Sequence, residues 1–470
     1  MDFAKNYVFG NWVKPSSGET IGVMNPATQE VFAHVPESRQ EDVALAVAAA
    51  KSALPKWSAM PMEFRCGLMK AMLEYLESQA ETIIDMEVKE LGAPVSFARN
   101  AHCFYQFERI RSYIEVASNL ELESKFPASL VIREPVGVVA AITPWNYPLG
   151  QLVQKVVPAI LMGNTVVMKP SQVTPLSAFV LMDAFDKAGF PDGVLNLVSG
   201  KGSELGDAFA YHPDVDMVSF TGSTAVGVEL AKKCFDSMKR VSLELGGKSP
   251  AIWLPSKSYD EYVPQLFNSI FLNSGQTCTA LSRLIVPKMD IDKVREALMN
   301  HLEDYPVGDP ADPKTKVGPM ATVAQYKKVR DYIMLGLTEG AKLFAGEVPD
   351  RSTDSLYIKP TIFVDVDNSM RIAQEEIFGP VLCVLTYETV DEAVKIANDS
   401  IYGLNAAVNG PDEAEAMEVA RRLKAGNVYV NNAPRDVYAP FGGYKSSGFG
   451  REGGLYGLLE FTQLKAVFRK

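Results

Sequence analysis

Cysteine and histidine are scarce in this 470-residue chain, which has five of the first and four of the second. The cysteines are odd in number and form no Cys-x-x-Cys pair, which argues against a disulfide framework or a zinc knuckle. The scattered histidines supply no ligand spacing, so no metal centre is expected. Basic charge is also short: 46 Lys and Arg stand against 57 Asp and Glu, a net charge of -11 with no dense basic run. Nucleic acid and anionic membrane surfaces are therefore not expected partners. Residues 135–154 carry no formal charge but include three prolines, Asn146, Gln151 and Gln154. That composition is wrong for a membrane span and right for a buried strand leading into a site. The start, Met1-Asp-Phe-Ala-Lys-Asn6, has no basic segment followed by an apolar stretch. Secretion is not expected, and a cytoplasmic location with reduced thiols is.

The chain is 47% apolar and 22% charged, the balance of a globular protein, and long enough for two or three domains. Residues 41–57 and 62–91 repeat apolar positions at helical spacing. From about residue 131 short β-rich runs alternate with helical stretches, at 136–142, 165–168, 194–197, 217–220 and 241–245. A second series follows at 282–286, 357–364, 381–386, 405–408 and 427–430. Such alternation predicts an α/β protein with parallel sheets: a Rossmann-like cofactor domain and a second α/β catalytic domain, with the site in the cleft between them. Thr174-Pro175 reads as a helix N-cap and first turn. Two β-prone runs, 128–133 and 461–469, fit neither series.

The chemistry concentrates at Phe271-Leu-Asn-Ser-Gly-Gln-Thr-Cys278-Thr-Ala280. Small polar neighbours, Ser274, Gly275, Thr277 and Thr279, leave Cys278 accessible, and Gly275 permits a close backbone approach to a substrate. By itself Cys278 also reads as a packing residue, as Cys66, Cys103, Cys234 and Cys383 do. Leu243-Glu-Leu-Gly-Gly-Lys-Ser-Pro250 sets Glu244 between apolar residues, where desolvation raises a carboxylate toward the range of a general base. A salt-bridged strand residue is the other reading of Glu244. Gly200-Lys-Gly-Ser-Glu-Leu-Gly206 follows a strand, but its third glycine is one residue late for the dinucleotide fingerprint. Phe220-Thr-Gly-Ser223 ends a strand at a helix start, where free N–H groups favour a pyrophosphate.

With Thr143-Pro-Trp-Asn-Tyr-Pro148, Met168-Lys-Pro-Ser171, Glu375-Glu-Ile-Phe-Gly-Pro380 and Pro440-Phe-Gly-Gly-Tyr-Lys-Ser-Ser-Gly448, the chain resembles the NAD(P)-dependent aldehyde dehydrogenase superfamily over essentially its whole length. The resemblance implies Cys278 as nucleophile, Glu244 as base and Asn146 as oxyanion donor. It implies NAD as cofactor, with NADP possible, and a small-molecule aldehyde as substrate. The cofactor would meet Trp145, Lys169, Ser171, Gln172, Gly202, Gly206, Phe220, Gly222, Ser223, Glu376 and Phe378. Lys169 would bind the adenosine ribose, Ser223 the pyrophosphate, and Glu376 the nicotinamide ribose. Gln172 stands where NAD-preferring relatives often carry Glu, so Lys201 or Ser171 could accept a 2′-phosphate. It also implies domains at 1–120 plus 136–246 (cofactor), 247–446 (catalytic) and 121–135 plus 456–470 (bridging), the last joining subunits of a homo-oligomer, a dimer or homotetramer.

If Tyr147 opens a helix, Gln151 and Gln154 share its face and point into one tunnel, with Thr277 and Thr279 beside the thiol. Arg435 and Tyr438 are expected at its mouth, unless Arg435 merely pairs with Asp436 at the surface. These residues suggest a polar or aromatic aldehyde. A CoA-acylating semialdehyde dehydrogenase would lack the Glu base, and a non-redox cysteine hydrolase or esterase would need a histidine partner that no motif supplies.

Overall fold

A computed structural model describes residues 3–469. Val138–Ile142, Thr165–Lys169, Leu195–Leu197, Met217–Thr221 and Arg240–Glu244 form a parallel sheet. Only Arg240 among these strand residues is exposed, which explains the near-continuous runs of Val, Ile and Ala with no alternation of polarity. In chain order the five strands lie 3-2-1-4-5, so the topology reverses between Val138–Ile142 and Met217–Thr221. Ligands enter open α/β sheets at such a reversal, beyond the carboxyl ends of the strands. Here those ends lead into Thr143–Asn146 and Gly222–Ser223. Antiparallel strands close the sheet at both edges: Asn6–Val8 and Asn11–Val13 on one side, Gly448–Phe449 on the other.

The second sheet runs Lys342–Ala345, Thr361–Val364, Val381–Tyr387, Arg283–Pro287, Pro250–Trp253, Asn405–Asn409, Asn427–Val430, parallel except for the first strand. Each sheet is packed on both faces by buried apolar clusters. Pro250–Trp253 and Lys342–Ala345 escape the sequence reading because four residues give too little periodicity. The expected helix over 62–91 is two helices, Met62–Ser78 and Ala80–Leu91, separated at Gln79, whose φ of -96° and ψ of 10° break the ladder.

Thr174 does not cap the next helix. That helix is Leu176–Lys187, and the Thr174 hydroxyl instead donates to the Trp145 carbonyl at 2.8 Å. Glu90 accepts the Leu176 N–H at 2.9 Å, so a buried carboxylate from another helix takes over the cap.

The two unassigned β-prone runs are not unpaired. Ser129–Pro135 and Thr462–Phe468 pair antiparallel with each other along their full length, and Glu123–Phe126 adds a third strand. Both outer edges of this small sheet remain open, and Phe126, Leu464, Val467 and Phe468 are exposed on it. Open apolar edges are an association surface. We expect the intact chain to scatter light as a dimer or tetramer at micromolar concentration. Leu464→Lys with Phe468→Lys should dissociate it without loss of helix signal in circular dichroism. A monomeric intact chain contradicts this expectation.

Candidate active site

Cys278 follows a backbone turn that few sequences tolerate. Asn273, Ser274 and Gly275 all have positive φ, at 54°, 54° and 70°. The turn is held by side chains: Asn273 Nδ2 donates to the Asn146 carbonyl at 2.9 Å, and Ser274 Oγ to the Gly318 carbonyl at 2.8 Å. Gln276 Nε2 reaches back to the Asn273 carbonyl at 3.1 Å, while its Oε1 accepts from Ala321 N. Gly275 serves a different approach from the one its sequence suggests. A Cβ there would lie 2.2 Å from the Gly379 carbonyl carbon, so the glycine admits the Gly379–Pro380 backbone rather than a substrate.

The turn leaves Cys278 half-buried where two cavities meet, whereas Cys66, Cys103, Cys234 and Cys383 are buried in packing. The larger cavity, about 470 Å³, is lined by Tyr147, Gln151, Gln154, Thr277, Thr279 and Arg435, as expected. Tyr147 stands immediately before the helix Pro148–Leu161, which does carry Gln151 and Gln154 into the cavity wall. Tyr147 and Thr277 share a hydrogen bond of 2.9 Å. Arg435 makes no surface pair with Asp436; its guanidinium lies 4.5 Å over the Phe441 ring. Tyr438 does not reach the cavity. It is exposed and donates to Glu115 at 2.7 Å, because Asp436 Oδ1 accepts the Tyr438 N–H at 2.8 Å and holds the turn outward.

Another part of this cavity's lining is absent from the sequence reading. Phe97, Asn100, Tyr105, Gln106 and Arg109 come from the helical run ahead of the first sheet, across a π-helical stretch, Ala98–Phe104. Gln106 Nε2 donates to the Ala101 carbonyl at 2.6 Å across that stretch. The available signal was polar Gln106 and Arg109 on the same helix face as apolar Ile110 and Tyr113, all of them buried.

The smaller cavity, about 160 Å³, is lined by Trp145, Asn146, Gly222, Ser223, Glu376 and Phe378, together with Thr221, Leu245, Gln325 and Lys328. Trp145 and Phe378 meet edge to face at 5.4 Å. Ser223 caps the helix Thr224–Phe235, accepting the Val226 N–H at 3.4 Å. Glu376 Oε1 accepts the Gly247 N–H at 2.8 Å. A Cβ on Gly246 would sit 2.8 Å from the Glu376 carboxylate, and one on Gly222 would strike the Phe220 ring. Phe220 itself does not line the cavity; it is a core residue that shapes the Gly222 turn.

The remaining cofactor candidates lie beyond this cavity.

 The residues in question are Lys169, Ser171, Gln172, Gly202 and Gly206, none of which lines it. Lys169 ends the strand Thr165–Lys169 with its amine donating to the Pro170 carbonyl at 3.1 Å, and burial pulls its pKa down to about 8. A Cβ on Gly202 would lie 3.6 Å from that amine, so the start of the helix Gly202–Tyr211 faces Lys169. Gly206, within the same helix, faces open space. Ser171 Oγ accepts the Val173 N–H at 3.2 Å, and Lys201 is held by Glu37 at 2.5 Å.

Glu244 ends the strand Arg240–Glu244, buried, with neither carboxylate oxygen hydrogen-bonded among the described residues. Burial pushes its pKa well up, and the nearby Glu452 carboxylate adds to the rise. Glu452 is itself buried and paired with Lys155 at 2.7 Å. The salt-bridged reading of Glu244 is therefore wrong. The Cys278 thiol is pushed up to about 12, first by burial and then by the Glu376 and Glu244 carboxylates, while Arg435 pulls it down. Asn146 Nδ2 donates to the Gln276 carbonyl at 2.9 Å, which leaves its second amide hydrogen free.

The model of the aldehyde dehydrogenase family matches residues 12–467. The chain belongs to the aldehyde dehydrogenase family. It is 41% identical over 469 residues to a 3-succinoylsemialdehyde-pyridine dehydrogenase of a Pseudomonas species, across 99% of this chain and 98% of that protein. Among solved structures it is similar to aldehyde dehydrogenase C of Pseudomonas syringae, a mutant complexed with NAD+ and octanal. That match has 43% identity, a TM-score of 0.97, and covers 99% of this chain and 97% of the other. An aldehyde dehydrogenase of Mycobacterium tuberculosis complexed with NAD+ is similar at 38% identity and a TM-score of 0.97, covering 100% and 98%.

The thiol environment of this family member is testable by alkylation. Iodoacetamide should label Cys278 alone among the five cysteines, slowly at neutral pH and faster as pH rises toward about 12. Glu244→Gln removes a charge that raises the thiol pKa and should move the profile to lower pH; Arg435→Met should move it higher. Labelling at another cysteine, mapped by peptide mass spectrometry, contradicts the assignment.

Proposed function

We infer that this chain oxidises an aldehyde to a carboxylic acid with NAD, through a thioester on Cys278. The observation that carries the reading is the position of Cys278 at the meeting of the two cavities, within electrostatic reach of a Glu244 carboxylate that has no hydrogen-bond partner among the described residues and lines neither cavity itself. The smaller cavity suits a nicotinamide nucleotide. It offers the N-terminus of a 12-residue helix at Ser223 for phosphate, a glycine cradle at Gly222 and Gly246, and the aromatic pair of Trp145 and Phe378. Lys169, Ser171 and Gln172 lie beyond it at the end of the neighbouring strand, on the path an adenosine would take.

In the mechanism we infer, the Cys278 sulfur adds to the aldehyde carbon once its proton has left, and the carbonyl oxygen becomes an oxyanion. The free Asn146 amide hydrogen and the Cys278 backbone N–H stabilise that oxygen. NAD, when bound, accepts the hydride that the tetrahedral centre loses. Glu244 then takes a proton from water, the water oxygen attacks the thioester carbon, and the carbon–sulfur bond breaks to release acid and thiol. Glu244 also argues against a CoA-acylating role, and no histidine lines either cavity to support a cysteine hydrolase.

We also infer the division into a cofactor domain at 1–120 and 136–246, a catalytic domain at 247–446 and a bridging element at 121–135 and 456–470. The sheets support it: the first takes most of its strands from the cofactor segments, the second lies within the catalytic segment, and the small sheet joins the remaining two. Among the described residues no helix is long and apolar enough to cross a membrane; the five free cysteines accord with a cytoplasmic location.

The experiment is absorbance at 340 nm with aldehydes and NAD, with and without CoA. NADH should form without CoA in the intact chain and not in Cys278→Ser. Gln172→Glu should lower kcat/KM for NADP more than for NAD, through repulsion of the 2′-phosphate. Reduction that depends on CoA, or that survives Cys278→Ser, contradicts the mechanism.

A further inference from the structure

We propose that the larger cavity selects an aldehyde bearing a carboxylate at its far end, held by Arg109 and Arg435 while the carbonyl meets Cys278. This deepens the function inferred above and rests on it.

The cavity wall holds two guanidiniums and no ionised partner for them. Arg109 is 5% exposed, yet it forms no ion pair among the described residues; its one hydrogen bond to a side chain is to neutral Gln106 Oε1, at 2.7 Å. A buried cation without a counter-ion is costly, and it persists where a ligand can supply the charge. The nearby Glu452 carboxylate does not neutralise it, because Lys155 already holds that group at 2.7 Å. Arg435, from the loop before Pro440, is exposed, lies over the Phe441 ring and forms no ion pair among the described residues.

One ring ties the two cations together. The Arg109 and Arg435 guanidinium carbons lie 4.9 Å and 6.0 Å from the centre of the Tyr105 ring. Like charges brought around one ring repel each other, and a shared anion would reverse that repulsion. Lys316 adds a third cation at the rim, in a chain whose net charge is -11. The same cavity is lined by aromatic rings, Tyr147 and Phe441 among them. A cavity of about 470 Å³ accommodates a molecule of one ring or a short chain.

The test compares matched pairs in the intact chain: 4-carboxybenzaldehyde against 4-formylbenzamide, and succinic semialdehyde against butanal. At least one carboxylated member should win by about tenfold or more in kcat/KM, the worth of one charge-assisted hydrogen bond, chiefly through a lower KM. Arg109→Met and Arg435→Met should each shrink that preference, Arg109→Lys should retain part of it, and added salt should weaken it in the intact chain. Should Arg109→Met fail to fold, Arg435→Met and the salt series still decide. Equal or better use of both neutral members, or a preference that survives both substitutions, overturns the proposal. If no aldehyde is oxidised, the inferred function fails instead. Calorimetry of terephthalate against terephthalamide on Cys278→Ala then reads the cavity alone: tighter terephthalate binding supports the proposal, and equal binding overturns it.

Discussion

The left-handed turn at Asn273, Ser274 and Gly275 is the constraint on which the site depends. Two non-glycine residues at positive φ cost roughly 1–2 kcal/mol each, so the chain adopts them only because other contacts enforce them. Those contacts come from separate parts of the fold: the Asn146 carbonyl after the first strand of the first sheet, Gly318 and Ala321 beyond the second, and the Gly379–Pro380 backbone. The turn thus fastens the Asn146 loop and the Glu376 loop to the segment that carries Cys278. A side chain at Gly275 would force the Gly379–Pro380 backbone away.

Electrostatics then set the resting state. Burial and the carboxylates around them favour the neutral forms of Glu244 and Cys278. Lys155 pairs with Glu452, and its charge partly offsets the rise at Glu244. Burial thus holds the Cys278 thiol protonated near neutral pH. Among the cations of the larger cavity, Arg435 is the one that favours the thiolate.

Most of the α/β order was legible because strands buried on both faces leave unmistakable apolar runs, as at Val138–Ile142 and Val381–Tyr387. Cys278 stood out by its small polar neighbours and Glu244 by its apolar ones, whereas Asn146 followed only from the family resemblance. Less was legible where a residue acts across the fold. Glu90 capping a distant helix, Gly275 facing Gly379 and Tyr438 turning outward to Glu115 all depend on partners far away in sequence. Arg109 shows the same limit: a polar residue on an apolar helix face signals something, but only the fold reveals that it faces the cavity beside Cys278.

The central claim is that Cys278 carries the acyl group and Glu244 brings in the water that removes it. Intact-protein mass spectrometry of Glu244→Gln, mixed with aldehyde and NAD and quenched in acid, tests it most directly. The account predicts a mass gain of one acyl group per chain, mapped to the peptide holding Cys278, with an equal amount of NADH. Sustained turnover without an adduct, or an adduct on another residue, would contradict it.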